Sequence, residues 1–158
     1  MIHPSAHIHP DVIIGENVYI GPGCIIGFPA EHKAYWGKDT GFTVIIRDNA
    51  VIHGNVTIDA GTVRHTEIDE NVWIMKGTHI GHDALIAEDA VLSPHVIIGG
   101  HCYIGTGTKM GMGAIVHQRV TVPKNCIIGM GSIVTKSTEL WEGGVFAGNP
   151  AAFLRNNE

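Results

Sequence analysis

Aliphatic side chains recur every six residues along most of this chain. Ile, Leu, Val or Met occupies positions 2, 8, 14, 20 and 26, then 46, 52 and 58, and then every sixth position from 68 to 134. The residue four positions after the aliphatic one is small in most repeats, as at Cys24, Ala84 and Thr108, and glycine often follows the aliphatic residue directly. Self-similarity at a fixed short period indicates a repeat architecture.

A six-residue period of this kind predicts an all-β fold, the left-handed parallel β-helix of hexapeptide repeats. Three short strands form a triangular coil of about 18 residues, so the repeats give about six to seven coils. The aliphatic residue fills the interior, the small residue fits beside a corner, and glycine tolerates the backbone of the turn. The left-handed crossover is an exception to the usual handedness of parallel connections. We expect the β-helix to occupy residues 1–136.

Two interruptions and a different C-terminal segment break the repeat. Residues 28–43, FPAEHKAYWGKDTGFT, predict a protruding loop that combines aromatic and charged side chains, and such loops on rigid scaffolds often carry function or subunit contacts. The stretch RHTE at 64–67 shifts the register. Residues 137–158 are expected to form a short cap and tail that cover the last coil.

Composition narrows the classes of function. The 158 residues carry a net charge of −5, which argues against a nucleic-acid-binding protein with a globally basic surface. No apolar run approaches the ~20 residues of a transmembrane segment, so we expect a cytoplasmic protein. The three cysteines include no C-x-x-C pair, which argues against a disulfide framework or a zinc ribbon. All three occupy the small-residue position and are expected to be buried: Cys24, Cys102 and Cys126.

Several of the 11 histidines are predicted to meet at one corner of the β-helix. Because the interior is packed, a functional site must lie outside, in a groove between neighbouring subunits. Residues about 18 apart stack on successive coils, which brings His82, His101 and His117, with Gln118, to the same corner. We interpret five other histidines as turn or loop residues elsewhere: His3, His7, His9, His32 and His53.

The residues around His82 match the needs of acyl transfer from a thioester. Asp83 can orient the imidazole of His82, whose other nitrogen then takes a proton from a hydroxyl or an amine. A backbone N–H at Gly100 can approach a developing oxyanion. No Ser or Cys is adjacent to this base, so we expect direct displacement without a covalent enzyme intermediate. Since the repeat gives His79, His82 and Asp83 no structural role, we expect all three to point outward.

Four segments resemble a known family, the UDP-N-acetylglucosamine O-acyltransferases of lipid A synthesis: IHGNVTIDAGTV (52–63), WIMKGTHIGHD (73–83), IIGGHCYIG (97–105) and AIVHQ (114–118). The resemblance implies that His82 is the general base, oriented by Asp83, and that the Gly100 amide forms the oxyanion hole. It implies a homotrimer with active sites between subunits, and no bound cofactor or metal. It also implies substrate contacts from several further residues: His79, His101 and His117 to donor and nucleotide sugar, Gln118 along the acyl or pantetheine groove, Lys33 to the sugar nucleotide, and Asn149 near the C-terminal end.

The chain also departs from that family. These 158 residues contain no segment that resembles the family's C-terminal helical domain, so we expect that domain to be missing, and the segment FAGNPAAFLR resembles the ending of shorter CoA-dependent hexapeptide sugar acyltransferases. The donor is therefore expected to be acyl-ACP or acyl-CoA, and the acceptor a hydroxyl or amine of a nucleotide sugar such as UDP-GlcNAc. Met130 corresponds to the base of the family's acyl groove, where a methionine blocks a long chain and predicts a short acyl group.

Two other classes of function stay open. A γ-class carbonic anhydrase uses the same β-helix, and the segments GMGAIV and IIGMGSIV resemble it. That chemistry needs three histidine ligands, two of them in a G-H-x4-H arrangement, and here position 87 is alanine. The other class is a non-catalytic β-helix. The threonines do not form the flat array of an ice-binding face, but an inactive relative of the enzymes is also compatible with the sequence.

Overall fold

The computed structural model describes residues 1–158 and contains 21 β-strands and no helix. The first 19 strands have only two or three residues each. Their bounds are β1 (His7–Ile8), β2 (Ile13–Ile14), β3 (Tyr19–Ile20), β4 (Ile25–Ile26), β5 (Val44–Ile46), β6 (Val51–Ile52), β7 (Thr57–Ile58), β8 (Thr66–Ile68), β9 (Trp73–Ile74), β10 (His79–Ile80), β11 (Leu85–Ile86), β12 (Val91–Leu92), β13 (Ile97–Ile98), β14 (Tyr103–Ile104), β15 (Lys109–Met110), β16 (Ile115–Val116), β17 (Thr121–Val122), β18 (Ile127–Ile128), β19 (Ile133–Val134), β20 (Gly144–Gly148) and β21 (Ala151–Asn156).

Every third strand pairs in parallel, which produces three sheets around a triangular interior. Sheet I contains β1, β4, β7, β10, β13, β16 and β19; sheet II contains β2, β5, β8, β11, β14 and β17; sheet III contains β3, β6, β9, β12, β15, β18, β20 and β21. In the regular part the register is 18 residues per coil, as in the pairing of His79 with Ile97 and of Ile97 with Ile115. The left-handed parallel β-helix predicted from the repeat is confirmed.

The aliphatic residues of the repeat form one continuous core. From Ile20 to Val134 each of them is at most 1% exposed. Because successive strand residues point to opposite faces, the residue before each aliphatic one points outward. Ile8 and Ile14 are only partly buried because they belong to the first coil, which no earlier coil of this chain covers.

The small-residue position also supplies hydrogen bonds that the sequence did not reveal. The Sγ–H of Cys102 donates to the carbonyl oxygen of His117 at 3.1 Å, and the Oγ1–H of Thr108 donates to that of Pro123 at 2.8 Å. These bonds satisfy corner carbonyls that have turned away from the sheets. Burial raises the pKa of all three thiols, so they remain protonated donors: Cys24, Cys102 and Cys126.

Both interruptions of the repeat leave the β-helix at the same corner, where the strands of sheet I end. The 28–43 loop follows β4, and the 59–65 segment connects β7 to β8. At the C-terminal end, β20 pairs in parallel with β18 and in antiparallel fashion with β21. The buried Phe146 packs there against Trp141 and Phe153. None of the secondary structure meets the requirements of a membrane-spanning helix.

Met110 and Lys109 provide a test of the core, because they are neighbours on β15 with opposite orientations. Met110 is 1% exposed, whereas Lys109 points into solvent. We expect Met110→Ala to lower the free energy of unfolding by about 2–5 kcal/mol, because it opens a cavity in a continuous core. Lys109→Ala should change it by less than about 0.5 kcal/mol. Equal effects of the two variants in urea denaturation would contradict this description of the core.

Candidate active site

The strands of sheet I end at a corner that stacks the predicted site residues on three successive coils. We call residues 81–83, 99–101 and 117–119 the histidine corner. The pairing of β10, β13 and β16 places the three segments over one another. The third residue of each has a left-handed backbone, with φ of 61° at Asp83 and 60° at His101. The clustering predicted from the repeat is therefore present.

Asp83 does not point outward as expected; that prediction was wrong, because its side chain is fully buried. Its Oδ1 accepts hydrogen bonds from the backbone N–H groups of Thr62, Val63 and Arg64, each at 2.9 Å. Its Oδ2 accepts a bond of 2.6 Å from the hydroxyl of Thr62. The register shift before β8 leaves these consecutive amides without strand partners, and together they form an anion-binding nest for the carboxylate.

These hydrogen bonds keep Asp83 ionised although it is buried. Burial alone raises the pKa of the carboxyl group, but the hydrogen bonds from His82, from Thr62 and from the amides of Val63 and Arg64 outweigh it. They hold the pKa of Asp83 well below its usual range. The corner therefore contains a permanent negative charge next to His82.

That charge fixes the tautomer of His82. Its Nδ1 lies 2.6 Å from Oδ2 of Asp83. Because an ionised carboxylate only accepts hydrogen bonds, Nδ1 carries the proton, and in the neutral ring Nε2 presents a free lone pair. The side chain of His82 is 15% exposed, so its ring is largely but not fully removed from solvent.

Gly100 permits the position of the His82 ring. A Cβ atom at residue 100 would lie 2.8 Å from Nε2 of His82, closer than side-chain carbons approach. The N–H of Gly100 has no hydrogen-bond acceptor within the chain. A free lone pair and a free N–H donor therefore lie on adjacent coils at the same corner.

His101 completes the buried cluster. Its Nε2 lies 3.4 Å from Oδ2 of Asp83, and its ring is perpendicular to that of His82 with centroids 5.1 Å apart. Burial lowers the pKa of His101 and outweighs the opposing effect of Asp83, while the charges of Arg119 and Arg64 lower it further. His101 is thus neutral at neutral pH and adds no positive charge beside His82.

His79 brings a second carboxylate to the corner, which the sequence did not reveal. Its Nδ1 is hydrogen-bonded to Oγ1 of Thr57 at 2.8 Å, and its Nε2 lies 3.9 Å from Oδ2 of Asp59. Asp59 could not be predicted from a period of 18 residues per coil. The register shift between β7 and β10 makes this coil 22 residues long, so Asp59 lies beside Gly81 on the next coil. Burial raises the pKa of Asp59, against the opposing influence of His79 and His82.

The 28–43 loop contributes His32, which the sequence predicts as a turn or loop residue away from the site. It does lie in the loop, but its ring packs edge-on against that of His82, with centroids 5.5 Å apart. The adjacent Lys33 is exposed. Because the repeat does not determine how a long insertion folds back, its period gave no signal for this contact.

Other predicted residues lie farther along the molecule. His117 and Gln118 are exposed at the last level of the histidine corner, where the Nδ1–H of His117 donates to the carbonyl oxygen of Gln118 at 3.0 Å. Met130, 72% exposed, follows β18 at a different corner, where the strands of sheet III end. Asn149 lies exposed in the turn between β20 and β21, on that side of the β-helix. One chain alone does not bring Met130 and Asn149 to His82.

A cavity of about 390 Å³ separates the 28–43 loop from the body of the β-helix. Its walls include Tyr35, Lys38 and Thr43 from the loop and Thr62 from the nest around Asp83. The hydroxyl of Thr40 donates to the carbonyl oxygen of Gly61 at 2.8 Å and connects the two segments. The loop, the nest and the histidine corner are therefore in continuous contact.

Comparisons with known proteins agree with this architecture. Residues 1–27 and 65–100 match the bacterial transferase hexapeptide family (six repeats), and residues 37–60 match the hexapeptide repeat of succinyl-transferase. A solved UDP-N-acetylglucosamine acyltransferase from Bacteroides fragilis superposes with a TM-score of 0.84 and 26% identity, covering 99% of this chain and 75% of the other.

Two curated relatives have different activities. Acyl-[acyl-carrier-protein]–UDP-N-acetylglucosamine O-acyltransferase of Sinorhizobium fredii is 30% identical over 140 residues, which are 87% of this chain and 50% of the relative. The mitochondrial gamma carbonic anhydrase 2 of Arabidopsis thaliana is 30% identical over 154 residues, 98% of this chain and 47% of the relative. The chain thus spans about half the length of the curated relatives it matches.

The nest around Asp83 predicts a large stability contribution from this one side chain. Asp83→Ala would leave three amides, one of them buried, and the buried Thr62 hydroxyl without their acceptor and would remove the partner of His82, so we expect it to lower the free energy of unfolding by more than about 3 kcal/mol. Asp89→Ala is the matched control, because Asp89 has the same left-handed φ of 60° but an exposed side chain without hydrogen bonds. It should cost less than about 1 kcal/mol. Similar losses in chemical denaturation would show that backbone conformation, not the nest, explains the effect.

Proposed function

This chain belongs to the hexapeptide-repeat proteins, and we propose that it is an acyltransferase that moves an acyl group from a thioester to a nucleotide sugar. The observation that carries the proposal is the hydrogen bond of 2.6 Å between His82 and Asp83, which leaves Nε2 of His82 free beside the N–H of Gly100. Base and oxyanion donor are the two groups that this chemistry requires.

The reaction is a direct displacement. Nε2 of His82 takes the proton of the acceptor hydroxyl or amine, whose oxygen or nitrogen attacks the thioester carbonyl carbon. The N–H of Gly100 donates to the oxyanion, the carbon–sulfur bond breaks, and His82 returns the proton to the thiolate. Asp83 stabilises the imidazolium without taking up a proton itself. Cys102, the thiol of this corner, is buried and bonded to a carbonyl, so it is not a nucleophile.

The substrates follow from the likeness to the O-acyltransferases. Acyl-ACP as donor and UDP-N-acetylglucosamine as acceptor are supported by the named activity of the Sinorhizobium relative. We place donor and nucleotide sugar along the exposed side of the histidine corner, against His79, His101, His117 and Gln118, with Lys33 from the loop toward the sugar nucleotide. CoA-dependent acylation of an amino or hydroxy sugar is the second candidate within this class, and the ending FAGNPAAFLR favours it.

We further propose that the active protein is a homotrimer with its sites between subunits. Met130 and Asn149 lie on a different side of the β-helix from His82, so they can contribute to a substrate groove only from a neighbouring copy. The exposed apolar residues of sheet I, such as Ile25 and Ile97, also suit burial between copies.

Carbonic anhydrase activity is the candidate from another class, because the Arabidopsis relative matches 98% of this chain. His82, Asp83 and His101 do present ligand atoms within 4.8 Å of one another. They do not fit a catalytic metal, because Oδ2 of Asp83 already holds His82 and Thr62 at 2.6 Å and would have to release both. At the position of the further histidine ligand the chain has Ala87, which is buried.

A screen of donors and acceptors tests the proposed function. Acyl-ACP and acetyl-CoA are each combined with UDP-GlcNAc and with amino-sugar nucleotides, and release of free thiol is measured. His82→Ala should lower turnover at least ~100-fold in every active combination, because it removes the base. His95→Ala, at a corner histidine of sheet III, should retain activity. Substantial activity of His82→Ala, with an unchanged melting temperature, would contradict the assignment of the base.

Met130 predicts that the acyl group is short. We expect wild-type turnover to fall as the 3-hydroxyacyl chain of the donor lengthens, and Met130→Gly to restore turnover of long chains. Met112→Gly is the matched control, because Met112 also stands exposed between two glycines, one coil earlier on the same corner. Equal or better wild-type turnover with a long chain would contradict a blocking role of Met130.

A further inference from the structure

Asp59 is a carboxylate at the histidine corner that has no structural partner. Its side chain is 20% exposed, and neither carboxylate oxygen accepts a hydrogen bond from the protein. Its one cationic partner within 4.0 Å is Nε2 of His79, at 3.9 Å, a distance too long for a hydrogen bond. The charge of His82, the proposed base, lowers the pKa of Asp59, so the two side chains interact electrostatically.

Other turn aspartates of this chain are either hydrogen-bonded or open to solvent, as the exposed Asp11 and Asp89 are. Oδ1 of Asp48 accepts the backbone N–H of Glu16 at 2.8 Å, and Oδ1 of Asp39 accepts that of Gly41 at 2.9 Å. Asp83 organises the nest. Asp59 has only backbone interactions, since its N–H donates to the carbonyl oxygen of Ile80. The fold therefore does not explain why a carboxylate stands at this position.

The surroundings of Asp59 favour a cation. Glu31, from the 28–43 loop, adds a second negative charge. Its repulsion disfavours the ionised form of Asp59 and raises the pKa of that carboxyl group. His79 is held in place by Thr57 and does not come closer. A partly buried carboxylate without a hydrogen bond is costly, and a positively charged hydrogen-bond donor would relieve that cost more than a neutral hydroxyl.

We propose that Asp59 is a specificity-determining residue that selects an acceptor sugar carrying an ammonium group over one carrying a hydroxyl group at the reacting position. The ammonium would lie between Asp59 and His79, beside His82. This inference deepens the proposed function and rests on it, since it names the class of acceptor used at the same site.

The bound ammonium releases one proton to water and becomes an amine. Its nitrogen forms the bond to the thioester carbonyl carbon while the carbon–sulfur bond breaks. His82 takes the second proton from nitrogen and gives it to the thiolate. The products are an amide, a free thiol and one proton, and no oxidant or further reactant is needed.

The test measures binding and is therefore independent of turnover. Calorimetric titration compares UDP-N-acetylglucosamine with its analogue that has an amine in place of the 3-hydroxyl group. We expect the wild-type protein to bind the amine at least ~10-fold more tightly, the scale of a charge-assisted hydrogen bond. Asp59→Asn should abolish that preference. Asp11→Asn, at an exposed aspartate of the same corner two levels earlier, should keep it.

Three results would overturn the inference: equal affinity of the wild-type protein for both sugars, an unchanged preference in Asp59→Asn, or no binding of either sugar. Failure of the proposed function has a different signature. If the amine binds in an Asp59-dependent manner but no thioester is consumed with either acceptor, the role of Asp59 in recognition holds and the acyl transfer does not.

Discussion

The candidate site depends on how one buried negative charge is accommodated. The carboxylate of Asp83 has lost its hydration. The free-energy cost of that loss is offset by hydrogen bonds from three consecutive amides, one hydroxyl and one imidazole. The same atoms therefore fold the irregular segment before β8, fix the tautomer of His82 and hold His101 in place. A carboxylate held in this way does not titrate near neutral pH, which suits its proposed role of positioning His82 as a base.

The fold could be predicted almost completely because a period of six residues leaves few alternatives. Each aliphatic residue from Ile20 to Val134 is in the core, and each cysteine is buried, as the pattern indicated. The hydrogen bonds of the small-residue position, such as that of Cys102, could not be predicted, because the pattern encodes size and not the direction of an S–H group. The position of the 28–43 loop could be predicted from the interrupted repeat. Its conformation could not, because its contacts do not recur in other coils.

The site could be predicted where it follows the repeat and not elsewhere. His82, Gly100 and His101 meet because they are separated by the length of one coil. Asp83 was expected outside because a charged residue after a turn is usually solvated, and only the amides of the 59–65 segment make its burial favourable. Asp59 and His32 were missed for the same reason: each joins the corner through a segment that interrupts the period, where counting residues no longer gives position.

Both interruptions leave the β-helix at the corner that carries the histidines, while the other two corners keep the strict period. In this architecture each coil contacts only its neighbours. An insertion at this corner therefore displaces no side chain of the interior, and its energetic consequences stay local. The length of these two segments can therefore change without compensating changes in the core.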